Sequence, residues 1–208
     1  MPGTQSKPVT RMPFIPALQV LADLRTDQVV VTTMGSAREW PKLSQHPLDL
    51  HYIPSAMGQA PALGLGIALA KPDREVIVLN GDGCQLMNLG VLVTIIASRA
   101  RNLTLIVFDN GIYEVTGGQQ TAAATTERGG IDFAGMARAA GFESVRSFNR
   151  LSDWQRDAAS TLALPGPRFV ALSVEPLCLS EDATAYQLES PGPIAERLAR
   201  FQSALAVS

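Results

Sequence analysis

Three short stretches of this sequence carry residue types that can do chemistry together. In Val76-Ile77-Val78-Leu79-Asn80-Gly81-Asp82-Gly83-Cys84, a β-branched run ends in a carboxylate flanked by two glycines. At a strand-to-helix turn such a carboxylate can hold a hard cation, and the bare amides of Gly83 and Cys84 can face a phosphate. Taken alone, the stretch reads as a tight turn with Asp82 capping the helix that follows. The second stretch, Leu105-Ile106-Val107-Phe108-Asp109-Asn110-Gly111-Ile112-Tyr113, also runs from strand into polar residues. One helix and one strand separate Asp82 from Asn110. Two neighbouring strand ends then lie side by side, where a carboxylate oxygen and an amide oxygen can share one ion. Gly111 lets the chain turn so that the Ile112 carbonyl supplies a third protein oxygen, and phosphate oxygens and a water would complete the octahedron that magnesium prefers. Alone, Asp109-Asn110-Gly111 is a turn. The third stretch is Pro54-Ser55-Ala56-Met57-Gly58, just ahead of a helix rich in small residues.

The elements that must position these residues follow from the apolar pattern, which alternates between short β-branched runs and longer mixed runs. That alternation predicts an α/β fold with a mostly parallel sheet. Pro13 to Asp27 reads as a first helix feeding the strand Gln28 to Thr33, with a turn at Met34-Gly35-Ser36. The polar stretch through His51 has little periodicity and reads as a loop over the sheet end. Helices are expected over Gly58–Ala70, Leu86–Arg99, Phe133–Ala140, Leu151–Leu162 and Ile194–Leu205. Strands are expected over Glu75–Asn80, Leu103–Phe108, Ser144–Phe148 and Phe169–Val174. Five strands with five or six helices fit a single open sheet with helices on both faces. Residues 1–12 read as an N-terminal extension and residues 13–208 as one domain. Ligands of such sheets sit beyond the carboxyl ends of the strands, where all three stretches fall.

Composition narrows the field of partners. Seventeen Lys plus Arg against nineteen Asp plus Glu leave a net charge of −2, with 46% hydrophobic residues among 208. This is the balance of one soluble domain with a sizeable core, and it offers no basic field for nucleic acid. Cys84 and Cys178 are too few for a disulfide framework, a zinc site or an iron–sulfur cluster, and are compatible with a cytoplasmic location. The longest apolar run, Val91 to Ala97, is far below the roughly 18 residues of a membrane span, and the first twelve residues have no apolar core of a signal peptide.

Together, the three stretches resemble the diphosphate-binding domain of thiamine diphosphate enzymes, whose signature is Gly-Asp-Gly followed one βα unit later by a strand ending in Asn. The resemblance runs from about Val29 to Val174. Within that superfamily the chain is similar to the phosphonopyruvate and sulfopyruvate decarboxylases, through Leu86-Met87-Asn88-Leu89-Gly90, Asn102-Leu103-Thr104 and Thr116-Gly117-Gly118-Gln119. The resemblance implies that Asp82, Asn110 and the Ile112 carbonyl hold magnesium. It further implies that Gly81, Gly83 and Cys84, with Gly35 and Ser36 from the first strand end, bind the diphosphate. Met57 corresponds to the bulky apolar residue that bends the cofactor, and the Ser55 carbonyl to the acceptor of its pyrimidine amino group; without its neighbours Met57 would read as a core methionine. The cofactor would supply the carbanion chemistry of a 2-oxo acid decarboxylase, and the protein the binding and geometry.

In this family a glutamate from a pyrimidine-binding domain completes the site. No second α/β domain is legible here, so a separate α-type subunit is expected to deliver that glutamate to this β-type chain, in a hetero-oligomer with at least two copies of each. Carboligation, a 2-oxo acid oxidoreductase β subunit, and a non-catalytic cofactor-binding subunit use the same domain and stay open as alternatives. Arg38 matches a family arginine near the mouth of the site and could pair with an anionic substrate group; it reads equally well as a solvated loop residue. Trp40 is expected in the same mouth, altering substrate choice. Glu114 reads as an acid/base candidate or as a surface carboxylate, and His46 and His51 as entrance residues or bystanders. Asp132 reads as a helix cap, Trp154 as core, and Cys84 as a residue chosen for small size.

Overall fold

The computed structural model describes residues 10–52, 57–122, 124, 130–177 and 192–207. Its centre is three strands whose sequences are apolar almost throughout: β1 (Val29–Thr32), β3 (Val76–Gly81) and β4 (Leu103–Asp109). Strands buried on both faces read as continuous hydrophobic runs rather than as alternation, and these three are buried along nearly their whole length. With β2 (Asp49–His51), β7 (Ser144–Phe148) and β8 (Arg168–Ser173) they form one parallel sheet in the order β2-β1-β3-β4-β8-β7. A small antiparallel pair, β5 (Ile112–Tyr113) and β6 (Gln119–Gln120), stands apart from it. The chain enters the main sheet at the buried Met12, which bridges to Val174; its N–H donates to the Ser173 carbonyl at 3.0 Å.

Helices cover both faces, as the alternation predicts. On one face α3 (Ala60–Ala70), α5 (Val91–Ser98), α6 (Phe133–Ala140) and α8 (Ile194–Val207) pack Leu65, Ile95, Phe133 and Phe201 against the sheet. On the other, α1 (Phe14–Leu24), α2 (Met34–Leu43) and α7 (Leu151–Leu162) bring Phe14, Leu18, Trp40 and Trp154 together. Trp154 is core, its indole N–H donating to the Ala17 carbonyl at 3.1 Å, and Asp132 caps α6 by accepting from the Gly135 N–H. Among the described residues no helix is long and apolar enough to cross a membrane.

Two stretches differ from expectation. The segment from Met34 to His51, expected as a loop, is α2 followed by β2. A helix of mixed composition containing Pro41 hides its period, because only Ser36, Ala37, Glu39 and Trp40 are turned inward. β2 is three residues long and gains its order by pairing with β1, not from its own pattern. The expected single helix over Leu86–Arg99 is two: α4 (Asp82–Met87) begins at the Gly-Asp-Gly turn and α5 follows a break at Asn88-Leu89-Gly90. At the break the Asn88 amide donates to the Gly58 carbonyl at 3.3 Å, so the interruption ties α4 to the loop before α3.

Small residues in α3 let the helix sit close on the sheet. A Cβ on Gly64 would lie 2.2 Å from Cγ2 of Val78, whereas one on Gly66 would meet nothing within 4 Å. Asn102 locks the end of this helix by donating to the carbonyls of Ala68, Lys71 and Arg74 at 3.0, 2.9 and 2.7 Å. In urea titrations Gly64→Ala is expected to lower the unfolding free energy by about 1–3 kcal/mol. Gly66→Ala should raise it by about 0.5–1 kcal/mol. Equal effects at the two positions would refute the close-packing account.

Candidate active site

β1, β3 and β4 are neighbours and end level with one another: Thr32 pairs with Leu79, and Gly81 with Phe108. The sheet order turns back at β1, which has β2 on one side and β3 on the other, and such a switch point is where open α/β sheets take ligands. A cleft opens there. It is lined by Gly35, Ser36, Met57, Gly81, Asp82, Gly83, Cys84, Asn110, Ile112 and Glu114, residues singled out in the sequence, together with Phe14, Asn80, Met87, Phe108 and Tyr113. Ser55 lies outside the described residues.

At the end of β1 the Ser36 hydroxyl accepts from the Thr33 N–H at 3.2 Å and faces the carbonyls of Thr33 and Leu79 at 2.7 and 2.9 Å. The side chain therefore stitches β1 to β3 at the start of α2. At the end of β3, Asp82 is only 2% exposed. Its Oδ2 accepts from the Gly111 N–H at 3.1 Å and from the Thr121 hydroxyl at 3.2 Å. At the end of β4, the Asn110 Oδ1 accepts from the Ile112 N–H at 3.0 Å, a side-chain turn that swings the chain through Gly111 at φ +78°. The two loops paired in the sequence are thus joined by the bond from Gly111 to Asp82.

The electrostatics of this junction are strained in one direction. Burial, and then the negative charge of Asp109, push the Asp82 carboxyl up to about 7 against the pull of its hydrogen bonds. Burial also raises Asp109, which the Arg11 guanidinium opposes. Burial raises the Cys84 thiol, with Asp82 adding to it, so this cysteine is a small packed side chain rather than a nucleophile. Asn80 donates through Nδ2 to Gln85 Oε1 at 3.2 Å, while its buried Oδ1 has no partner among the described residues. Gly83 must lack a side chain, because a Cβ would meet the Tyr113 ring at 2.6 Å.

The remaining candidates fall in different places. Met57 is 43% exposed on the cleft wall. A Glu114 carboxylate oxygen accepts the Leu177 N–H, which anchors the cleft rim. Arg38 is not among the lining residues; its Nε donates to Glu39 at 2.8 Å, and Glu39 also takes Lys42 at 2.8 Å. Trp40 is not in the mouth: it is 1% exposed and packs in the core beneath α1, because α2 turns it toward the sheet. His46 and His51 line another cleft, between β2 and α8. His51 Nδ1 lies 3.1 Å from the Thr32 hydroxyl, and burial lowers both imidazoles and favours their neutral forms. Sequence reasoning missed Asn80, Arg11 and Thr121. Only Thr121 left a signal, since Gly117-Gly118 marks a reversal that returns the chain to Gly111.

A raised folded-state value means that the cation-free fold prefers Asp82 protonated. Its contribution to stability is complete below the ordinary carboxylate range and is lost as pH rises through about 7. Asp82→Asn is expected to remove this slope. Relative to the parent chain, it should lose less stability between pH 5 and 8 in cation-free urea titrations, by on the order of a few kcal/mol. Identical pH profiles would contradict the electrostatic account.

Comparison with known proteins places this geometry. Residues 31–172 match the thiamine pyrophosphate enzyme, C-terminal TPP binding domain. Phosphonopyruvate decarboxylase of Streptomyces viridochromogenes is 37% identical over 202 residues, which cover 96% of this chain and 48% of that protein. The chain thus spans about half the length of that relative. Sulfopyruvate decarboxylase subunit beta of Methanothermobacter thermautotrophicus is 36% identical over 163 residues, 78% of this chain and 82% of that one. In fold, the chain is similar to an X-ray structure described as a thiamin diphosphate-dependent enzyme from Mycobacterium smegmatis. The TM-score is 0.62 at 19% identity, over 79% of this chain and 32% of that one. A family match across all of β3 and β4 and their loops, and a decarboxylase β subunit aligned over most of its length, make this chain a member of the thiamine pyrophosphate enzyme family, whose cofactor-binding domain it carries.

Proposed function

We propose that residues 13–208 are the diphosphate-binding domain of a thiamine diphosphate- and magnesium-dependent 2-oxo acid decarboxylase, and that the chain is its β-type subunit. The observation that carries this reading is the buried Asp82, joined to the Asn110 loop by the Gly111 N–H and raised well above the usual carboxylate range by burial and then by Asp109. Arg11 acts on Asp109, whereas the causes that raise Asp82 are burial and Asp109 itself. An all-oxygen donor set of Asp82, Asn110 and the Ile112 carbonyl suits a hard cation such as magnesium. Two further observations favour a bound group: the orphaned Asn80 Oδ1 on the cleft wall needs a donor, and Gly81 leaves open space where a Cβ would stand.

In this reading the amides of Gly35, Ser36, Gly83 and Cys84 hold the diphosphate, aided by the helix starts they occupy. Met57 supports the cofactor from the cleft wall, and Ser55 offers its carbonyl to the pyrimidine. When bound, thiamine diphosphate supplies the electron sink that allows carbon dioxide to leave a 2-oxo acid. The chain's own residues bind and orient the group and line the space where substrate enters. Arg38 and Glu114 act on substrate only if the rim rearranges, since both carry internal partners. A separate pyrimidine-binding, α-type subunit supplies the catalytic glutamate, in a cytoplasmic hetero-oligomer with at least two copies of each chain. The name of the Methanothermobacter relative, a subunit beta, supports this division.

Calorimetry on the chain with its partner should detect thiamine diphosphate binding that requires Mg²⁺ and is abolished by EDTA or by Asn110→Ala. The reconstituted pair should release carbon dioxide from at least one member of a 2-oxo acid panel. Absence of Mg²⁺-dependent binding would refute the cofactor assignment, and release by this chain alone would refute the partner requirement. Met57→Ala should leave cofactor affinity within a few-fold while slowing turnover roughly 10- to 100-fold.

A further inference from the structure

The loop that follows Asn110 returns to its starting point on a single atom. Gly111 opens the excursion and Thr121 closes it. The Gly111 N–H and the Thr121 hydroxyl both donate to Oδ2 of Asp82, at 3.1 and 3.2 Å. Thr121 is 0% exposed, and its N–H donates to the Gly111 carbonyl at 2.9 Å, so the base of the excursion is closed twice. Between the two ends, Ile112 pairs with Gln120 and Tyr113 with Gln119. The reversal itself uses Gly117 and Gly118, at φ +116° and +76°. This hairpin carries Ile112, Tyr113 and Glu114 onto the cleft wall.

We infer that Thr121 is a positioning residue for Asp82, and that through it cation binding and the order of the cleft-wall hairpin are linked. The inference rests on the reading of Asp82 as a cation ligand. A carboxylate that must present itself to an ion gains from a partner that fixes its orientation, and loss of such a partner typically costs 10- to 100-fold in metal affinity. Here the fixing groups are the two ends of the hairpin. Whatever holds the carboxylate in place therefore favours the closed base, and a closed base favours the carboxylate's orientation. Such coupling is reciprocal. No residue nearer in sequence duplicates the hydroxyl: Gly111 contributes a backbone amide, which no side-chain change removes, and Thr121 contributes the one side-chain bond recorded on Oδ2 among the described residues.

The test compares Thr121→Val, which keeps the β-branched shape and drops the hydroxyl, with Thr121→Ser, which keeps the hydroxyl. Mn²⁺ affinity is read by electron paramagnetic resonance on the full chain with thiamine diphosphate and its partner. Hydrogen exchange of the amides of residues 111–121 is read with and without Mn²⁺. Thr121→Val should weaken Mn²⁺ roughly 10- to 100-fold and abolish the cation-dependent protection of the hairpin. Thr121→Ser should stay within about threefold of the parent and retain protection. If Thr121→Val fails to fold, Thr121→Ala carries the same comparison against serine. A hydroxyl-free variant that binds Mn²⁺ as tightly as the parent, with the hairpin equally protected, overturns the inference while leaving the cofactor reading intact. A parent chain that binds no Mn²⁺ takes down both.

Discussion

The structure is organised around one unfavourable arrangement, the burial of the Asp82 carboxylate at the mouth of the sheet with Asp109 nearby. Burying a charge without a counter-charge is costly, and a protein commonly shifts the group toward its neutral form instead. The hydrogen bonds from Gly111, Thr121 and the Gly83 amide lower that cost without cancelling it. Much of the surrounding fold makes the arrangement possible. The parallel order of β1, β3 and β4 brings three loops to one level. The break after α4 ties that helix to the loop before α3, and the hairpin closes over the carboxylate from the side of β4.

The same constraint accounts for the kinds of residue around it. On the hairpin side of Asp82 there is little room for side chains, so backbone and small groups do the joining. Gly83 lies under the Tyr113 ring, and Gly111 lies against Arg11, whose Nη2 would sit 2.7 Å from a Cβ. Ser36 spends its hydroxyl on the strand ends, and Cys84 stays a neutral thiol. Farther out, rigidity comes from ordinary packing. Gly64 brings α3 onto β3, and Asn102 gathers three carbonyls at the far end of that helix. The site thus rests on a scaffold in which α3 has no slack toward the sheet at Gly64.

Much of this was legible from residue types. Long β-branched runs marked the central strands because burial on both faces demands apolar residues at every position. Gly-Asp-Gly and Asp-Asn-Gly marked the loop ends because tight turns demand glycine and a side chain that bonds its own backbone. Phe133–Ala140, Ser144–Phe148 and Leu151–Leu162 begin and end where the pattern puts them. Illegible elements share a cause: their order comes from partners distant in sequence. β2 is a strand because β1 accepts it, and α2 is a helix although its composition argues weakly for one. Trp40 illustrates the hazard, since a loop reading turned a core residue into an entrance residue.

By itself the sequence determined the fold class, the parallel central strands, the meeting of the Asp82 and Asn110 loops and the kinship with thiamine pyrophosphate enzymes. Each depends on residue type and short-range spacing. Only the tertiary structure decided which side chains complete the site. Thr121 reaches Asp82 across the hairpin, Arg11 reaches Gly111 from the start of the chain, and His46 and His51 turn to a separate cleft. Those outcomes depend on where long-range strand pairing brings distant segments, and no local pattern encodes a contact between residues whose only link is the sheet that places them.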